Sequence, residues 1–333
     1  MIKIDYIIPA YNESCVVSRA LDALSKQTMK DNLCITIVND CSPYTNCNYQ
    51  DLVYKYKGNL DIRVIKTPDN LGAGMARQYG IDNTTNPYIM FQDADDVLND
   101  EYTIEDFVKT LNSSDSLVKS IVCGWVETDS NGSIIGKRAS KHMNTCVARL
   151  IFRDMLKEYN IRFDDDMSRL FEDRNFYIKY IYILKSRGYK EIYIDKHYYV
   201  YMRGNKLSTM NNTSLEKTDV YHAILEFKKY EFMKEHEADE DILWDILNYA
   251  FEKAFFSVVR VAKNPKIEIN DILLLRTLIE KHYYELGGYY ELHDNSIIYN
   301  IKGIENIEIK YEYFLSSPYE TIDKILKNIS KNI

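Results

Sequence analysis

Short apolar runs alternate with segments of helical periodicity through the first part of the sequence, and this alternation constrains the fold more than any other feature. The apolar runs are Ile4–Ile8, Cys34–Val38, Ile62–Ile65 and Tyr88–Phe91. Between the first two runs apolar residues recur at helical spacing, and Gly72–Ile81 predicts a further helix that begins after a glycine-rich turn. Strands that alternate with helices form βαβ units, so the sequence predicts an α/β fold with a parallel sheet.

The pattern changes in the next part of the chain. An apolar run from Leu117 to Val126 is followed by the turn-forming residues Asp129–Gly132, so we expect an antiparallel hairpin to join the sheet. The later elements of this part are predicted helices at Thr145–Glu158 and Glu172–Arg187 and a predicted strand at Glu191–Met202.

Beyond Ser214 the sequence shows mainly helical periodicity. The predicted helices are Val220–Lys234, Ile242–Val261 and Ile272–Tyr284. We therefore expect two domains, an α/β domain of residues 1–214 and a helical C-terminal region of residues 215–333.

Composition limits the class of protein and its partners. The formal net charge of −8 argues against a nucleic-acid partner, which needs clustered Lys and Arg. The apolar runs are far shorter than the ~20 residues of a membrane-spanning helix, and Met1–Ile4 leads directly into a strand instead of a secretory signal. Six cysteines without CxxC spacing predict free thiols in a reducing compartment. We therefore expect a cytoplasmic protein, with peripheral membrane contact and oligomerisation left open.

Three of the predicted strands end in polar segments. These are Pro9-Ala10-Tyr11-Asn12-Glu13, Asn39-Asp40-Cys41-Ser42 and Gln92-Asp93-Ala94-Asp95-Asp96. In open α/β sheets, ligands bind outside the carboxyl ends of the strands. Each segment alone would be explained as a helix cap or a solvated turn, but the three together favour a ligand site at one edge of the sheet.

Asp93 and Asp95 point to the chemistry of that site. They are separated only by Ala94 at the end of a buried-looking strand. Carboxylates packed together repel one another, and a bound divalent cation keeps both ionised. Mg²⁺ favours one or two carboxylates plus the oxygens of a substrate diphosphate. The pair therefore indicates a metal–diphosphate site, although an Asp-x-Asp motif alone has low specificity.

Several motifs taken in order resemble those of family 2 glycosyltransferases. They are Ile7-Ile8-Pro9-Ala10-Tyr11-Asn12-Glu13, Gln27-Thr28, Ile37-Val38-Asn39-Asp40-Cys41-Ser42, Asn70-Leu71-Gly72 with Ala76-Arg77, Asp93-Ala94-Asp95-Asp96, Asn160-Ile161-Arg162-Phe163-Asp164 and Phe171-Glu172-Asp173-Arg174-Asn175-Phe176. The resemblance fades after Arg203 and Ser208. It implies the GT-A fold, in which a Rossmann-like, mostly parallel sheet has helices on both faces, here followed by an α-helical region.

The resemblance also implies an activity. Family members move a sugar from a nucleoside-diphosphate sugar, here expected to be a UDP-sugar, with inversion at the anomeric carbon. The acceptor is a hydroxyl of a glycan, a cell-surface polymer or a protein, and the cofactor is Mn²⁺ or Mg²⁺. The cation stabilises the departing nucleoside diphosphate as a Lewis acid.

By resemblance, the donor-binding set is Pro9, Tyr11, Glu13, Asp40, Asn70, Gly72, Arg77, Asp93, Ala94 and Asp95. Tyr11 would lie along the nucleobase and Asp40 would accept from the uracil N–H or the ribose. Asp93 would hold the ribose side, and Asp95 would reach the metal. The alternatives are that Tyr11 is a packed loop aromatic, Asp40 a helix N-cap and Arg77 a surface cation.

The predicted base is Asp173, which would take the proton of the acceptor hydroxyl. Carboxylates such as Glu172 and Asp173 are also favoured at the start of any helix, which is the structural alternative. Further contacts to the diphosphate or acceptor are assigned by resemblance to Glu172, His197, Arg203 and Ser208. The family's Tyr-Arg pair is altered here to Tyr201-Met202-Arg203.

Two other classes of protein compete with a glycosyltransferase. A sugar nucleotidyltransferase would carry a glycine-rich, basic loop after the first strand, where this sequence has Pro9–Glu13. A catalytically silent nucleotide-sugar-binding module would not need Asp93, Asp95 and Asp173 together.

The helical region carries no recognisable motif, and we expect it to shape the acceptor site, to pack on the catalytic domain or to mediate oligomerisation. The apolar stripe of its middle helix is Leu243, Ile246, Leu247, Ala250, Phe251, Ala254 and Phe255. Because such a stripe must be buried, we expect it to pack against the catalytic domain near the acceptor side.

Overall fold

A mixed β-sheet organises the first part of the chain. The computed structural model describes residues 2–43, 48–129, 131–167, 169–203, 213–263, 268–286, 298–300, 308–310, 322–323 and 327. Its contacts divide the chain into two units, Met1–Ser208 and Thr209–Ile333. The sequence predicted a catalytic domain of residues 1–214 and a helical region of residues 215–333. This assignment of roles to the two parts of the chain stays a prediction.

The strands of the first unit are β1 Ile4–Ala10, β2 Leu33–Asn39, β3 Ile62–Lys66, β4 Tyr88–Phe91, β5 Val97–Leu98, β6 Val118–Thr128, β7 Ile134–Arg138, β8 Arg149–Phe152 and β9 Lys190–Met202. Its helices are α1 Ser14–Ser25, α2 Tyr49–Tyr56, α3 Ala73–Asp82, α4 Thr103–Ser113, α5 Arg153–Glu158 and α6 Glu172–Ser186. Short 3₁₀ turns lie at Lys30–Asn32, Ser140–His142 and Asp165–Met167.

The strand order is β3-β2-β1-β4-β8-β6-β9-β5, and β7 pairs with β6. Strands β1 to β4 are parallel to their neighbours within that group, which confirms the predicted βαβ units. Strand β8 is antiparallel to both β4 and β6, and β7 forms the predicted hairpin with β6. Strand β9 lies parallel to β6 on its other edge. Antiparallel strands therefore extend a parallel sheet.

The central position of β1 follows from its sequence. All seven of its residues are buried, as a strand covered on both faces requires. On α3, Gly80 permits a close approach to this strand, since a Cβ at Gly80 would lie 2.5 Å from Ile7 Cγ2 and 3.2 Å from Val38 Cγ2. Helix α3 and the side chains that it carries are thus drawn tightly against the sheet.

One predicted helix is wrong. The segment Thr145–Glu158 contains the strand Arg149–Phe152 and only a short helix, Arg153–Glu158. All four strand residues are buried between β4 and β6. Tertiary strand pairing has overridden the helical periodicity, as is common for short apolar runs.

The second unit is mainly helical, as predicted. Its described elements are α7 Leu215–Glu235, α8 Glu240–Lys263, α9 Ile269–Leu286 and a strand pair, β10 Ile298–Asn300 with β11 Glu308–Lys310. The three helices pack on one another. Phe251 of the predicted α8 stripe meets Phe227 of α7 edge-on, with ring centroids 5.2 Å apart. Within the described part of the chain, no helix combines the length and apolar character needed to cross a membrane.

Candidate active site

The acidic turn Gln92–Asp96 directly follows β4. The Tyr6 hydroxyl donates to Gln92 Oε1 at 2.6 Å, and Gln92 Nε2 donates to the Asp96 carbonyl at 2.9 Å. Asp93 and Asp95 are half-buried, while Ala94 between them is buried. Hydrogen bonds from the core of the sheet therefore order the turn that carries the predicted metal-binding pair.

Asp96 is the buried member of this turn, and it was not among the predicted site residues. Its Oδ1 accepts from the Met202 N–H at 3.0 Å, and Oδ2 has no hydrogen-bond partner among the described residues. Burial raises the pKa of the Asp96 carboxyl well above its usual range, and the Asp93 and Asp95 carboxylates raise it further. The hydrogen bond from the Met202 N–H acts in the opposite direction and lowers this pKa.

Strand β9 supports the turn from the other side. The Asp93 N–H donates to the hydroxyl of Tyr199 at 3.1 Å, and Tyr199 is buried. No sequence motif marked Tyr199, because its role depends on β9 lying beside β5 and β6 in the folded sheet.

Arg77 connects the acidic turn to the start of α6. Its Nη2 lies 2.5 Å from Asp93 Oδ1, and its Nη1 lies 3.1 Å from Glu172 Oε1. Arg77 is only 3% exposed, so the alternative of a surface cation is wrong. The two terminal guanidinium nitrogens of Arg77 already bind protein carboxylates, and its contact with the donor stays a prediction. Arg77 joins two motifs that are distant in sequence.

The two carboxyl groups Glu172 and Asp173 open α6, as predicted, after Phe171 in the left-handed region at φ 58°. Burial raises the pKa of Glu172 to about 7, with Asp173 adding to the rise and Arg77 opposing it. Asp173 Oδ2 accepts from the hydroxyl of Thr145 at 2.9 Å, and Oδ1 accepts from the Arg174 N–H at 2.7 Å. Thr145 therefore orients the predicted base, and no sequence signal identified it.

Asp40 holds the loop that precedes α3. Its Oδ1 accepts from the Leu71 N–H at 2.9 Å and its Oδ2 from the Gly72 N–H at 2.8 Å. Gly72 has a φ of 85°, which favours glycine. Asp40 does not cap the following helix, α2, whose N-cap is Asn48. Because Asp40 is only 2% exposed, we assign it first to ordering this loop, and its contact with a nucleobase stays a prediction.

The other predicted donor residues surround this loop and the end of β1. Pro9 is buried within β1, and Glu13 is the N-cap residue of α1. Tyr11 is 43% exposed, so it is not a packed loop aromatic. Arg169, which the sequence analysis missed, donates through Nη2 to both the carbonyl and Oδ1 of Asn70, each at 2.9 Å.

The predicted residues on and after β9 that the structure describes have partners outside the Arg77 network. His197 is half-buried, and its carbonyl accepts from Asn99 Nδ2 at 2.9 Å. The Arg203 side chain is 59% exposed and pairs through Nε with Glu127 Oε2 at 3.0 Å. Ser208 lies outside the described residues. The contacts that the structure describes thus join Arg77, Asp93 and Glu172 directly, but give His197 and Arg203 other partners.

The family model for glycosyl transferase family 2 matches residues 5–184, which is more than half of the chain and includes every site residue from Pro9 to Asp173. Among curated proteins, the chain is 22% identical over 315 residues to teichoic acid poly(glycerol phosphate) polymerase of Staphylococcus epidermidis, covering 90% of this chain and 39% of the relative. It is 24% identical over 311 residues to minor teichoic acid biosynthesis protein GgaB of Bacillus subtilis, covering 84% and 34%.

The chain is also 25% identical over 235 residues to poly(ribitol-phosphate) beta-N-acetylglucosaminyltransferase TarS of Staphylococcus aureus, covering 67% of this chain and 39% of TarS. The chain thus spans well under half the length of each of these three relatives.

Solved structures share the fold. S. aureus TarS 1-349 in complex with UDP-GlcNAc aligns with a TM-score of 0.62 and 17% identity, covering 86% of this chain and 82% of that one. The mannosyltransferase PcManGT from Pyrobaculum calidifontis, in complex with GDP-Man and Mn²⁺, aligns with a TM-score of 0.51 and 14% identity, covering 98% and 86%. These likenesses confirm the predicted GT-A fold. With the family model matched across the acidic turn and the start of α6, this chain belongs to glycosyl transferase family 2.

Proposed function

We propose that this chain transfers a sugar from a UDP-sugar to a hydroxyl of a polymeric acceptor, with inversion at the anomeric carbon. The observation that carries the proposal is the bridge from Asp93 through Arg77 to Glu172. It holds the acidic turn beside the helix whose second residue is Asp173. In a single-displacement reaction the leaving-group site and the base must keep fixed positions relative to each other. The Arg77 bridge is proposed to hold them in these positions.

The donor is proposed to bind along the ends of β1, β2 and β4. The exposed ring of Tyr11 can stack on a nucleobase, and the loop of Asn70 and Gly72 is held in place by Asp40. Uridine is the proposed base because one fold neighbour is a complex with UDP-GlcNAc. Pro9, Glu13 and Ala94 complete the proposed donor-binding set of the sequence analysis.

Asp93 and Asp95 are proposed to hold Mn²⁺ or Mg²⁺ together with the donor diphosphate. In the described part of the chain, no group of three or more His, Cys, Asp or Glu side chains could hold a metal ion. Two half-buried carboxylates suit a hard cation that takes its remaining ligands from diphosphate and water. When bound, the cation would neutralise charge on the departing UDP. His197, Arg203 and Ser208 remain proposed contacts to the diphosphate or the acceptor.

Asp173 is proposed to act as the general base. Its carboxylate would take the proton of the acceptor hydroxyl while that oxygen forms the new bond to the anomeric carbon. The bond from this carbon to the UDP oxygen breaks on the opposite face, which inverts the configuration. The hydrogen bonds from Thr145 and from the Arg174 N–H hold the carboxylate of Asp173 in one orientation and leave it further acceptor capacity for the proton of the acceptor hydroxyl.

The acceptor is proposed to be a cell-surface polymer. The names of three relatives refer to teichoic acid or to poly(ribitol phosphate). We propose that residues 215–333 help to shape the acceptor site or mediate oligomerisation, and that residues 1–214 carry out the transfer.

Calorimetry of nucleotide binding tests the donor and metal assignments together. We expect UDP to bind in the presence of Mn²⁺ or Mg²⁺ and much more weakly in chelator, because Asp93 and Asp95 repel the diphosphate without a cation. Equal affinity in chelator would contradict the metal assignment. Tighter binding of a guanosine or thymidine diphosphate would contradict the uridine assignment, and a screen of nucleotide sugars for hydrolysis would then identify the donor.

A further inference from the structure

A basic segment lies at the end of β7 in an otherwise acidic chain. Residues 137–142 contain Lys137, Arg138, Lys141 and His142 and no acidic residue, although the formal net charge of the chain is −8. Lys137, Lys141 and His142 are exposed, and Arg138 is half-buried. The described function uses none of these cations, so their purpose needs a separate explanation.

Arg138 is held in a row of side chains that crosses three strands. Its guanidinium carbon lies 5.1 Å from the centroid of the Trp125 ring, and the two residues are directly paired between β6 and β7. On the other edge of β6, Tyr201 of β9 stacks on Trp125 with centroids 5.5 Å apart and an interplanar angle of 21°. Since β7 and β9 flank β6 on opposite edges, Arg138 and Tyr201 approach the indole from opposite sides. Trp125 is therefore a support for the cation and not an open platform for stacking a sugar.

Arg138 and Tyr201, the two neighbours of Trp125, are each linked to one part of the proposed site: Arg138 to the start of α6 and Tyr201 to the acidic turn. At one end, Arg138 Nη1 donates to Asn144 Oδ1 at 3.1 Å, and Asn144 directly precedes Thr145, which binds Asp173. At the other end, Tyr201 lies two residues after Tyr199, whose hydroxyl accepts from the Asp93 N–H. The basic segment thus contacts Asn144, the sequence neighbour of the residue that orients the base.

We propose that Arg138 and Lys141 bind phosphate groups of a polyanionic acceptor, a polyol-phosphate chain, and thereby present one of its hydroxyls to Asp173. The inference rests on the proposed function in taking Asp173 as the base. A guanidinium is a planar fork that matches the oxygens of a phosphate, and a neighbouring lysine adds a point charge for the next phosphate along the chain. A neutral glycan would accept hydrogen bonds from these cations but would lack the charge attraction, and Trp125 is already packed against Arg138 and Tyr201.

Tryptophan fluorescence offers a direct binding assay. The chain has two tryptophans, so in a full-length Trp244→Phe protein Trp125 is the sole tryptophan and lies against Arg138. Titration with a short synthetic oligo(glycerol phosphate), without donor, should change its emission. We expect Arg138→Gln and Lys141→Gln each to weaken the affinity roughly tenfold to a hundredfold, as for a lost hydrogen bond to a charged group. Lys57→Gln, an exposed lysine at the end of α2, is the matched control and should not change it.

Two comparison oligomers test whether the site selects phosphate, and a further variant tests where the site lies. A neutral oligosaccharide, or an oligogalacturonate of the same charge, that binds as tightly as the phosphate oligomer would overturn the assignment to phosphate. Unchanged affinity in both Gln variants would overturn the site itself. Lys141→Glu places a repelling charge at an exposed position, so it tests the site even where loss of Arg138 disturbs the packing on Trp125.

Transfer assays separate this inference from the proposed function. We expect Arg138→Gln to raise the KM for a phosphate-bearing acceptor with kcat and UDP affinity nearly unchanged. If Asp173→Asn leaves transfer intact while phosphate binding still depends on Arg138, the assignment of the base fails and the phosphate site stands. If UDP binds and Asp173 is essential but Arg138→Gln leaves the acceptor KM unchanged, the proposed function stands and this inference fails.

Discussion

Adjacent carboxyl groups at the start of α6 have different surroundings. Glu172 is bound by Arg77 and is buried enough that its pKa is raised to about 7. Asp173 instead accepts two hydrogen bonds, from the hydroxyl of Thr145 and from the Arg174 N–H. Glu172 is thus bound in an ion pair, whereas the proposed base is oriented by hydrogen bonds.

Replacing the proposed base should separate binding from chemistry. Asp173→Asn keeps the shape and the hydrogen bond from Thr145, but it cannot take a proton. We expect UDP affinity to stay near the wild-type value and turnover to fall by roughly 10²–10⁴-fold, the usual range for a lost general base. Asp195→Asn, an exposed position on β9, is the control. Near-normal turnover of Asp173→Asn would show that the base lies elsewhere.

The raised pKa of Glu172 predicts a pH dependence of stability. Because the folded state holds this proton up to about pH 7, while an unfolded glutamate releases it near the ordinary value of 4.5, the folded chain binds more protons between the two values. The free energy of unfolding should therefore fall as pH rises from about 4.5 to 7, by at most roughly 3 kcal/mol from this group. Glu172→Gln should flatten that part of the profile in denaturant melts at a series of pH values. Parallel profiles for the two proteins would contradict the assignment.

At the scale of elements, the close packing of α3 on β1 positions the Arg77 bridge. Gly80 lies one helical turn beyond Arg77, and its missing side chain lets the helix sit against Ile7 and Val38. A helix held further from the sheet would move Arg77 away from Asp93. The fit of α3 is therefore a condition for the site as well as for the core.

A single methyl group tests this packing. In an ordinary helix interior Gly→Ala stabilises by roughly 0.5–1 kcal/mol. At Gly80 the new Cβ would lie 2.5 Å from Ile7 Cγ2, so we expect a net destabilisation of about 1–3 kcal/mol and weaker UDP binding. Gly58→Ala is the matched control, because no atom lies within 4 Å of a Cβ built there. A gain in melting temperature for Gly80→Ala would mean that α3 can shift at no cost.

At the scale of the whole molecule, each of the two units has its own buried core. The apolar stripe of α8 was expected to pack against the catalytic domain, but Phe251 of that stripe contacts Phe227 of α7 inside the helical unit. Residues such as Leu247, Ala254 and Phe255 are buried as well. The helices thus provide a partner for part of the stripe among themselves, and their packing near the acceptor side stays a prediction.

Truncation tests whether residues 1–214 suffice for donor binding. A chain that ends at Ser214 lacks α7, α8 and α9. It therefore has neither the apolar stripe of α8 nor the α7 residue that contacts this stripe, so the truncation does not expose one of them without the other. We expect it to fold and to bind UDP within a few-fold of the full-length affinity, while transfer to a polymer is lost or reduced. Insolubility, or loss of UDP binding measured by calorimetry, would favour the expectation from the sequence that the helices pack against the catalytic domain.

Local sequence patterns determined most of the framework. The apolar runs of β1 to β4 and the helical periodicity beyond Ser214 each reflect interactions within one segment, so they could be predicted from the chain alone. The same holds for Asp93, Asp95 and Asp173 as candidates, because they belong to contiguous motifs at the ends of predicted elements.

Only the tertiary structure decided which residues meet across the sheet. The structure shows that Arg77 bridges Asp93 and Glu172 and that Asp40 orders the loop at Gly72, while their contacts with the donor stay predictions. The supports of the site, Tyr199 and Thr145, carry no motif, and Arg149–Phe152 became a strand by pairing with β4 and β6. The physical reason is common to all of these: burial and hydrogen bonding between segments far apart in sequence depend on the order of the strands, which no single segment encodes.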